Sequence, residues 1–390
     1  MLVNILSKHV PNVLQFKDGK GCVLVRLNKA MYGTLDAAKI WYDKLTGVLV
    51  QLGFEANKVD KCVFNKTISG RQCTVLVYVD DLLITCALDF VVDDVVEQLK
   101  QAFDGDVKSC GDTDLSYLGM HLKIERGRII ISMVAYLEGV LKDYEVHGTV
   151  TTPATNSLFE TSGANKSLSQ PESKRFHTLV AKLLYLSKRA RMDILLPIAF
   201  LTTRVKAPTT GDLAKLQRVM KYLNGTSQQT MVLAPRNKNL EAYVDASFGC
   251  HPDGKSHTGL VVTLGGCTVQ CMSSKQKLVT RDSTEAELVG VSDKLMNVIQ
   301  CYDFLMDQGV ECGTPVVYQD NTSTITLVTK SGGKYRSKYL RVRQAHVYEH
   351  HCAGDVKVVY LATGEMLADA LTKPLQGKLF KYLTRRITGE

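Results

Sequence analysis

Two neighbouring aspartates, Asp80 and Asp81, stand between two short runs of β-branched and apolar residues. The runs, 73–77 and 82–85, have the composition of paired buried strands, so the carboxylates are predicted at the tip of a β-hairpin. Ionised carboxylates at such a tip call for a compensating cation, and their oxygens suit Mg²⁺ or Mn²⁺. The hairpin is therefore a candidate site for metal-assisted phosphate chemistry. A solvated Asp-Asp turn is the alternative interpretation.

A second set of acids follows the strand and helix pattern of the last third of the chain. Asp245 and Asp320 each end a predicted strand, Glu287 lies in the first turn of a predicted helix, and Asp369 lies in a short last helix. Each acid alone is typical of a solvated surface. Together they occupy positions that an α/β fold gathers at one edge of its sheet. Phosphodiester hydrolysis by two metal ions needs such converging carboxylates, so the pattern predicts a two-metal hydrolytic site.

The elements that must position these four acids are predicted in the order βββαβαβα. Helices are predicted to begin at Asp282 and Asn321, whose side-chain oxygens can accept from free backbone N–H groups. The strands are runs of apolar and β-branched residues at 240–244, 259–264, 268–272, 315–319 and 356–360.

The rest of the chain divides into a mixed block and a helical block. Residues 151–175 are rich in Ser, Thr, Pro and Asn, which is the composition of a linker. Helical periodicity then runs from 176 to 223, with a break around 207–209. Before the linker the pattern predicts a strand at 23–27, helices at 36–52 and 91–103, and a hairpin of 117–124 with 128–131.

The amino-acid composition is typical of a globular fold rather than of a disordered chain or a membrane-spanning one. The 390 residues suffice for two or three domains, and 45% hydrophobic with 22% charged residues is typical of globular protein. The net charge of +9 favours a polyanionic partner. No apolar run approaches the ~18 residues of a membrane span, and we expect no membrane association.

The eleven cysteines form no CxxC pair, which favours free thiols in a reducing compartment, so we expect an intracellular protein, cytoplasmic or nuclear. A zinc site built from Cys267, Cys271 and the histidines near Cys352 is the weaker alternative. Structural zinc sites usually show two tight ligand pairs, which this chain lacks.

Several motifs of the first block resemble the reverse transcriptase of Ty1/copia-type long-terminal-repeat retrotransposons. They are Leu27–Gly33 (LNKAMYG), Leu52–Phe54 (LGF), Asp60–Phe64 (DKCVF), Leu76–Asp81 (LVYVDD) and Tyr117–Met120 (YLGM). Residues 176–186 with 191–194 are similar to the connection segment of that family. The resemblance implies that Asp80 and Asp81 are polymerase metal ligands. Tyr78 is expected in the core rather than at the primer end.

The last block is similar to the ribonuclease H of the same family. The matching motifs are Tyr243–Ser247 (YVDAS), Ser283–Glu287 (STEAE), Asp320–Asn321 and Leu367–Leu375 (LADALTKPL). The resemblance implies that Asp245, Glu287, Asp320 and Asp369 hold two Mg²⁺ or Mn²⁺ ions and that the partner is an RNA–DNA hybrid. A basic stretch with interleaved aromatics predicts the nucleic-acid contacts, with a solvated helix face as the alternative: Lys334, Arg336, Lys338, Arg341 and Arg343.

Two departures from the family pattern bear on the polymerase. The resemblance implies a third Asp on a strand upstream of residue 27, but residues 1–21 hold one carboxylate, Asp18, in a turn-like segment. We therefore expect the fingers and that Asp to be absent, and no unaided DNA synthesis. Where the family has Gln-Ala-Pro, this chain has Asp-Ala-Ala at 36–38.

The predicted fold class is thus α+β with α/β. Residues 1–150 are expected to form a partial polymerase palm and thumb, 151–235 a linker and helical connection, and 236–390 an RNase H-like domain with a mixed sheet. The expected function is Mg²⁺-dependent cleavage of RNA in RNA–DNA hybrids within a Pol protein. Two alternatives stay open: a catalytically dead, nucleic-acid-binding remnant, and a structural partner that self-associates or pairs with a separate upstream Pol segment.

Overall fold

The structure is a computed structural model that describes residues 7, 9–24, 26, 31, 33–103, 107–111, 113–161, 163, 165–330 and 337–389. By its packing the chain forms two compact units. The N-terminal unit comprises residues 1–56 and 62–108, and the C-terminal unit comprises 57–61 and 109–390. The three-part division at 150 and 235 stays a prediction. Across the described parts of the chain, no helix is long and apolar enough to cross a membrane.

The N-terminal unit is an antiparallel sheet covered by helices. Its elements are α1 (Leu35–Gln51), β1 (Glu55–Ala56), β2 (Val63–Ile68), β3 (Arg71–Tyr78), β4 (Asp81–Thr85) and α2 (Asp89–Ala102), after a 3₁₀ helix at Pro11–Phe16. The strands lie in the order β1-β2-β3-β4. Cys73, Val75 and Val77 alternate inward along β3 and pack in one core with the helices. Of the predicted strand 23–27, Val25 and Leu27 lie outside the described residues.

The C-terminal unit begins with a small sheet and a helical layer. Its first elements are β5 (Asp114–Tyr117), β6 (Met120–Glu125), β7 (Arg128–Ser132), α3 (Val134–Asp143), α4 (Gln170–Ser187), α5 (Leu195–Thr202), α6 (Thr210–Gly225) and β8 (Met231–Leu233). The sheet order is β5-β6-β7-β8, so β8 joins β7 from far along the chain. The helices enclose a core that includes Phe176, Leu183 and Phe200.

The single strand predicted at 117–124 is wrong, because a tight turn divides it into β5 and β6. Leu118 and Gly119 both adopt positive φ, 48° and 70°. Such a pair forms the two-residue connection of a hairpin. The Tyr185 hydroxyl donates to the Leu118 carbonyl at 2.6 Å, so α4 holds this turn against the helical layer. The residue Leu118 gave no turn signal in the sequence.

The segment 151–175 is also not a loose linker. Thr152, Ala154 and Leu158 are buried, and the last two join the helical core. Helix α4 begins within the segment at Gln170, where Ser169 and Glu172 form a capping box. That box satisfies free N–H groups at the helix start, so the polar composition reflects capping and turns as well as exposure.

The helical layer contains a buried ion pair. Arg191 donates to both Asp193 carboxylate oxygens, at 3.0 and 2.8 Å, and to the Thr226 carbonyl and hydroxyl, at 2.9 and 2.6 Å. The Tyr222 hydroxyl donates to Asp193 at 2.7 Å. The side chains of Arg191 and Asp193 are only 2% and 0% exposed. This network ties the 3₁₀ helix Met192–Ile194 to α6.

The remainder of the C-terminal unit is a five-stranded mixed sheet with helices. It contains β9 (Leu240–Ser247), β10 (His257–Leu264), β11 (Cys267–Lys275), α7 (Ser283–Asp307), β12 (Val316–Gln319), α8 (Thr322–Thr329), α9 (Lys338–Ala353), β13 (Lys357–Tyr360), 3₁₀ helices at Thr363–Glu365 and Leu367–Leu371, and α10 (Gly377–Thr388). The strand order is β11-β10-β9-β12-β13, with β12 parallel to β9 and β13. The predicted strands are confirmed, and two helices rather than one separate β12 from β13.

Candidate metal centre

The parallel pairing of β9 with β12 brings two of the predicted acids to one edge of the sheet. Tyr243 of β9 lies opposite Tyr318 of β12. Asp245 and Asp320 each follow these tyrosines by two residues, Asp245 within β9 and Asp320 just after the end of β12. The register therefore places the two acids level with each other. Asp245 does not end its strand as predicted, because β9 continues to Ser247. Its side chain is 1% exposed.

Helix α7 delivers Glu287 to the same edge. The Asp282 side chain caps the helix by accepting from the Glu285 backbone N–H at 2.9 Å, as predicted. Glu287 is the fifth residue of α7 and lies in the second turn rather than the first. Gly290 allows α7 to pack closely against β9 and β10, since a Cβ there would lie 3.3 Å from the Thr258 methyl and 3.6 Å from the Ala246 Cβ.

Asp245, Glu287 and Asp320 form a cluster whose carboxylate oxygens lie within 4.8 Å of one another. Gln319, which is fully buried, connects two of its members. Its Nε2 donates to Glu287 at 3.1 Å, and its Oε1 accepts from the Asp320 backbone N–H at 2.8 Å. Sequence reasoning missed Gln319, whose only signal is its place just before Asp320 on a buried strand.

Asp369 lies in the 3₁₀ helix Leu367–Leu371 and is brought near Asp245 by the packing of that helix on β10. Gly259 of β10 pairs with Asp245 and permits this approach, because a Cβ there would lie 2.8 Å from the Ala368 carbonyl oxygen. The Lys373 ammonium bridges the two acids, at 2.8 Å from Asp369 Oδ1 and 3.2 Å from Asp245 Oδ1.

The neighbouring Thr372 hydroxyl donates to the other Asp245 oxygen. Thr363 donates to Asp320 at 2.8 Å. Sequence reasoning missed both threonines and Lys373 as members of the site. A signal existed for Lys373, which follows Asp369 by four residues within the Leu367–Leu375 motif.

The electrostatics of the cluster fit a cation site. Burial, followed by the charge of Asp245, raises the pKa of Glu287 well above its ordinary value. The same two causes raise the pKa of Asp369 to about 7, against the opposing effect of Lys373. Burial acts to lower the pKa of Lys373, but Asp245 and Asp369 outweigh it and raise that pKa. These carboxylates lie close together, and the nearby positive charge does not neutralise them. Divalent cations that prefer oxygen ligands bind to such groups.

The 3₁₀ helix Leu367–Leu371 packs so closely on Gly259 that one added methyl group is expected to lower both stability and metal affinity. Gly259→Ala is expected to push the 3₁₀ helix Leu367–Leu371 away from β10, because the new Cβ would overlap the Ala368 carbonyl. Overpacking of this kind costs about 1–3 kcal/mol. The measurement is the free energy of unfolding together with Mn²⁺ affinity, and both should fall. Gly139→Ala in α3 is the control, since its Cβ meets nothing within 4 Å. Unchanged values in Gly259→Ala would contradict this account.

The raised pKa of Asp369 predicts a pH-dependent stability of the metal-free protein. Because the folded-state pKa of about 7 exceeds the ordinary value of 3.8, the stabilising contribution of this group is complete below about pH 4 and is lost as the pH rises through about 7. In EDTA, Tm should therefore fall between about pH 5 and pH 8, and Mg²⁺ should raise Tm more at the higher pH. Asp369→Asn should flatten that dependence. An equal slope in both proteins would show that another group is responsible.

Asp80 and Asp81 lie at the tip of the β3–β4 hairpin, as predicted, and both are exposed. Val79 adopts a positive φ of 53° in the turn, and the Trp41 indole donates to its carbonyl at 2.7 Å. Helix α1 therefore fixes the turn that carries the two carboxylates. Tyr78 is 51% exposed, so its predicted place in the core is wrong. Among the residues that the structure describes, no third acid or histidine groups with this pair.

Three of the predicted nucleic-acid-binding residues, Lys338, Arg341 and Arg343, lie at the start of α9. Lys338 and Arg341 are exposed, and Arg343 is half-buried and pairs with Asp293. Tyr339 and Val342 are also exposed, at 43% and 61%. Lys334 and Arg336 lie outside the described residues. The described part of this stretch therefore presents cations and apolar side chains on one surface, and its role in binding stays a prediction.

The comparisons with known proteins agree with this architecture. Residues 9–156 match the family described as reverse transcriptase (RNA-dependent DNA polymerase). The foamy viral protease-reverse transcriptase, solved in complex with an RNA/DNA hybrid, covers 85% of this chain and 39% of its own, at 10% identity and a TM-score of 0.51. At that identity the likeness shows the fold alone. The chain thus contains a reverse transcriptase family match over residues 9–156 and shares its fold with a solved reverse transcriptase.

Curated relatives extend over nearly the whole chain. The retrovirus-related Pol polyprotein from transposon RE2 of Arabidopsis thaliana is 30% identical over 93% of this chain and 25% of its own. That from transposon TNT 1-94 of Nicotiana tabacum is 26% identical over 95% and 28%. The Ty1-DR5 Gag-Pol polyprotein of Saccharomyces cerevisiae is 24% identical over 93% and 22%. The chain is similar over nearly its whole length to Ty1/copia-type retrotransposon Pol polyproteins and spans about a quarter of their length.

Proposed function

We propose that the C-terminal unit cleaves the RNA strand of an RNA–DNA hybrid with the help of two divalent cations, Mg²⁺ or Mn²⁺. The observation that carries this proposal is the convergence of Asp245, Glu287 and Asp320, whose oxygens lie within 4.8 Å of one another. Asp369 joins the cluster through its shared contact with Lys373. Asp245, Glu287 and Asp320 come from three separate segments and meet at one sheet edge, and Asp245 and Glu287 are buried. Negative charges this close repel one another, so a bound cation would stabilise their arrangement.

The acids of the site would hold the cations, and the neighbouring polar residues restrain the acids. Asp245, Glu287 and Asp320 are suited to hold one cation, and Asp245 with Asp369 a second. When bound, such ions activate water and stabilise the leaving oxygen of a phosphodiester. Gln319 fixes the Glu287 carboxylate and the Asp320 backbone, so neither can turn away from the site. Thr363 restrains the Asp320 side chain in the same way.

The related fold and the exposed side chains of α9 favour an RNA–DNA hybrid as the substrate. The foamy viral enzyme of the same fold was solved with an RNA/DNA hybrid. In this chain Lys338 and Arg341 on α9 offer exposed cations for a phosphate backbone, and Tyr339 offers a ring. We propose recognition by backbone shape and the 2′-OH rather than by base sequence. Binding should therefore weaken steeply with salt and vary little between sequences.

A cleavage assay on the full chain tests this proposal. The substrates are a labelled RNA–DNA hybrid and, as controls, an RNA duplex and a DNA duplex of the same sequence. We expect cleavage of the RNA strand of the hybrid in Mg²⁺, no cleavage in EDTA, and intact control duplexes. Hybrid binding without any metal-dependent cleavage would overturn the nuclease proposal and support the catalytically dead, nucleic-acid-binding alternative.

A second proposed activity belongs to the N-terminal unit. The family match over 9–156 and the exposed Asp80–Asp81 turn support a role in RNA-directed DNA synthesis. Two carboxylates on one turn cannot enclose a metal ion and a triphosphate, so a further ligand must come from another segment. We expect no primer extension by this chain alone and extension when an upstream Pol segment is added. Extension by the chain alone would refute the need for a further ligand.

A further inference from the structure

Lys373 lies where a cation between two of the acids would be bound. Its ammonium contacts Asp369 Oδ1 at 2.8 Å and Asp245 Oδ1 at 3.2 Å, so one positive charge serves two carboxylates. Asp245 and Asp369 are 1% and 2% exposed, whereas the Lys373 side chain is 36% exposed. The ammonium therefore compensates buried charge from the open side of the site and has a path back into solvent.

The four acids differ in whether their hydrogen-bond partners carry a positive charge. Glu287 and Asp320 accept hydrogen bonds from Gln319 and Thr363, which carry no charge. Among the described residues, the positively charged group that bonds to these acids is Lys373, and it contacts Asp245 and Asp369. A cation held by Asp245, Glu287 and Asp320 competes with the ammonium at one carboxylate at most, that of Asp245, whereas a cation held by Asp245 and Asp369 competes with it at both.

We propose that Lys373 acts as a built-in substitute for the second divalent ion, holding its place in the metal-free site and leaving when that ion binds. This inference rests on the proposed two-cation site. A divalent ion and an ammonium cannot share the same pair of oxygens, because the repulsion between them at ~4 Å is several kcal/mol even at an intermediate dielectric constant. The two ions therefore bind in sequence, the second one more weakly, and Lys373 sets the concentration at which the site becomes fully loaded.

The test counts and titrates bound Mn²⁺ on the full chain without substrate, by calorimetry and by the electron paramagnetic resonance of free Mn²⁺. The wild type should bind one ion tightly and a second more weakly. Lys373→Gln removes the competing charge and should tighten the second site at least about tenfold. Lys373→Arg keeps the charge and should stay close to the wild type. Lys381→Gln, an exposed position on α10, is the control for net charge.

A second measurement covers the possibility that Lys373→Gln is poorly folded without metal. Removing the ammonium leaves two buried carboxylates uncompensated, so Tm in EDTA should fall. Added Mn²⁺ should then raise Tm by more in Lys373→Gln than in the wild type. An equal rise in both proteins, or an unchanged second affinity in the titration, would overturn the inference.

These readouts also separate the inference from the proposed nuclease activity. If ion binding responds to Lys373 as expected but no hybrid is cleaved, the account of Lys373 holds and the substrate assignment fails. If the hybrid is cleaved but Lys373→Gln binds Mn²⁺ like the wild type, the nuclease holds and Lys373 is a structural counter-charge only.

Discussion

Asp245→Asn is expected to lower the rate of Mg²⁺-dependent hybrid cleavage by at least about 10³-fold, which corresponds to ~4 kcal/mol in the activation free energy. The reason is its central position. Asp245 belongs to the three-acid cluster and is also joined to Asp369 through Lys373, so it is the acid shared by both cation positions. The amide keeps the size of the side chain but removes the charge that both ions need. Initial rates on a labelled hybrid measure the effect.

The controls for this prediction separate chemistry from folding. Asp303→Asn changes an exposed residue on the same helix as Glu287 and should leave the rate unchanged. Tm of Asp245→Asn in EDTA should equal or exceed that of the wild type, because one buried negative charge has been removed from a repulsive cluster. If Asp245→Asn cleaves the hybrid as fast as the wild type, the assignment of these four acids is wrong.

The largest expected effect on stability comes from the buried ion pair of the helical layer. Arg191→Met should lower the free energy of unfolding of the C-terminal unit by about 3–5 kcal/mol, because it leaves the Asp193 carboxylate buried without its cation. The Thr226 carbonyl and hydroxyl lose their donor at the same time. Urea denaturation followed by near-ultraviolet circular dichroism measures the change.

A double variant tells whether the loss comes from the orphaned charge. Arg191→Met combined with Asp193→Leu removes both charges and should recover at least half of the lost stability, since a buried pair is often replaceable by apolar groups. Arg126→Met, at the exposed β6–β7 turn, is the control and should change little. Equal instability of the single and double variants would mean that the contacts to Thr226 matter more than the ion pair.

The sequence predicted helices and strands correctly where the signal for them lies within a few neighbouring residues. The β3–β4 hairpin follows from alternating apolar residues around two aspartates, and the start of α7 follows from the capping side chain of Asp282. Each depends on residues within one turn or one strand, so sequence alone contains the information. The turn at Leu118–Gly119 was missed because Leu seldom adopts positive φ, and a contact from Tyr185, far along the chain, holds it.

Pairings between distant segments were not predictable in the same way. Strand β8 joins β7, and the polar segment containing Leu158 packs into the helical core. Both depend on which apolar surfaces remain uncovered after the local elements have formed. Composition reports the average polarity of a segment but not the surface against which a single leucine packs, and so it predicted a linker.

The identity and order of the four acids, their placement after strands and in helices, and the motifs shared with Ty1/copia-type Pol proteins were determined by the sequence itself. The tertiary structure alone decided that Asp245 and Asp320 lie level, through the parallel register of β9 and β12. It also decided that Gly259 admits the helix of Asp369 and that Lys373 lies between two acids. The physical reason is that periodicity encodes the face on which a residue lies, whereas distances between elements follow from packing across the whole unit.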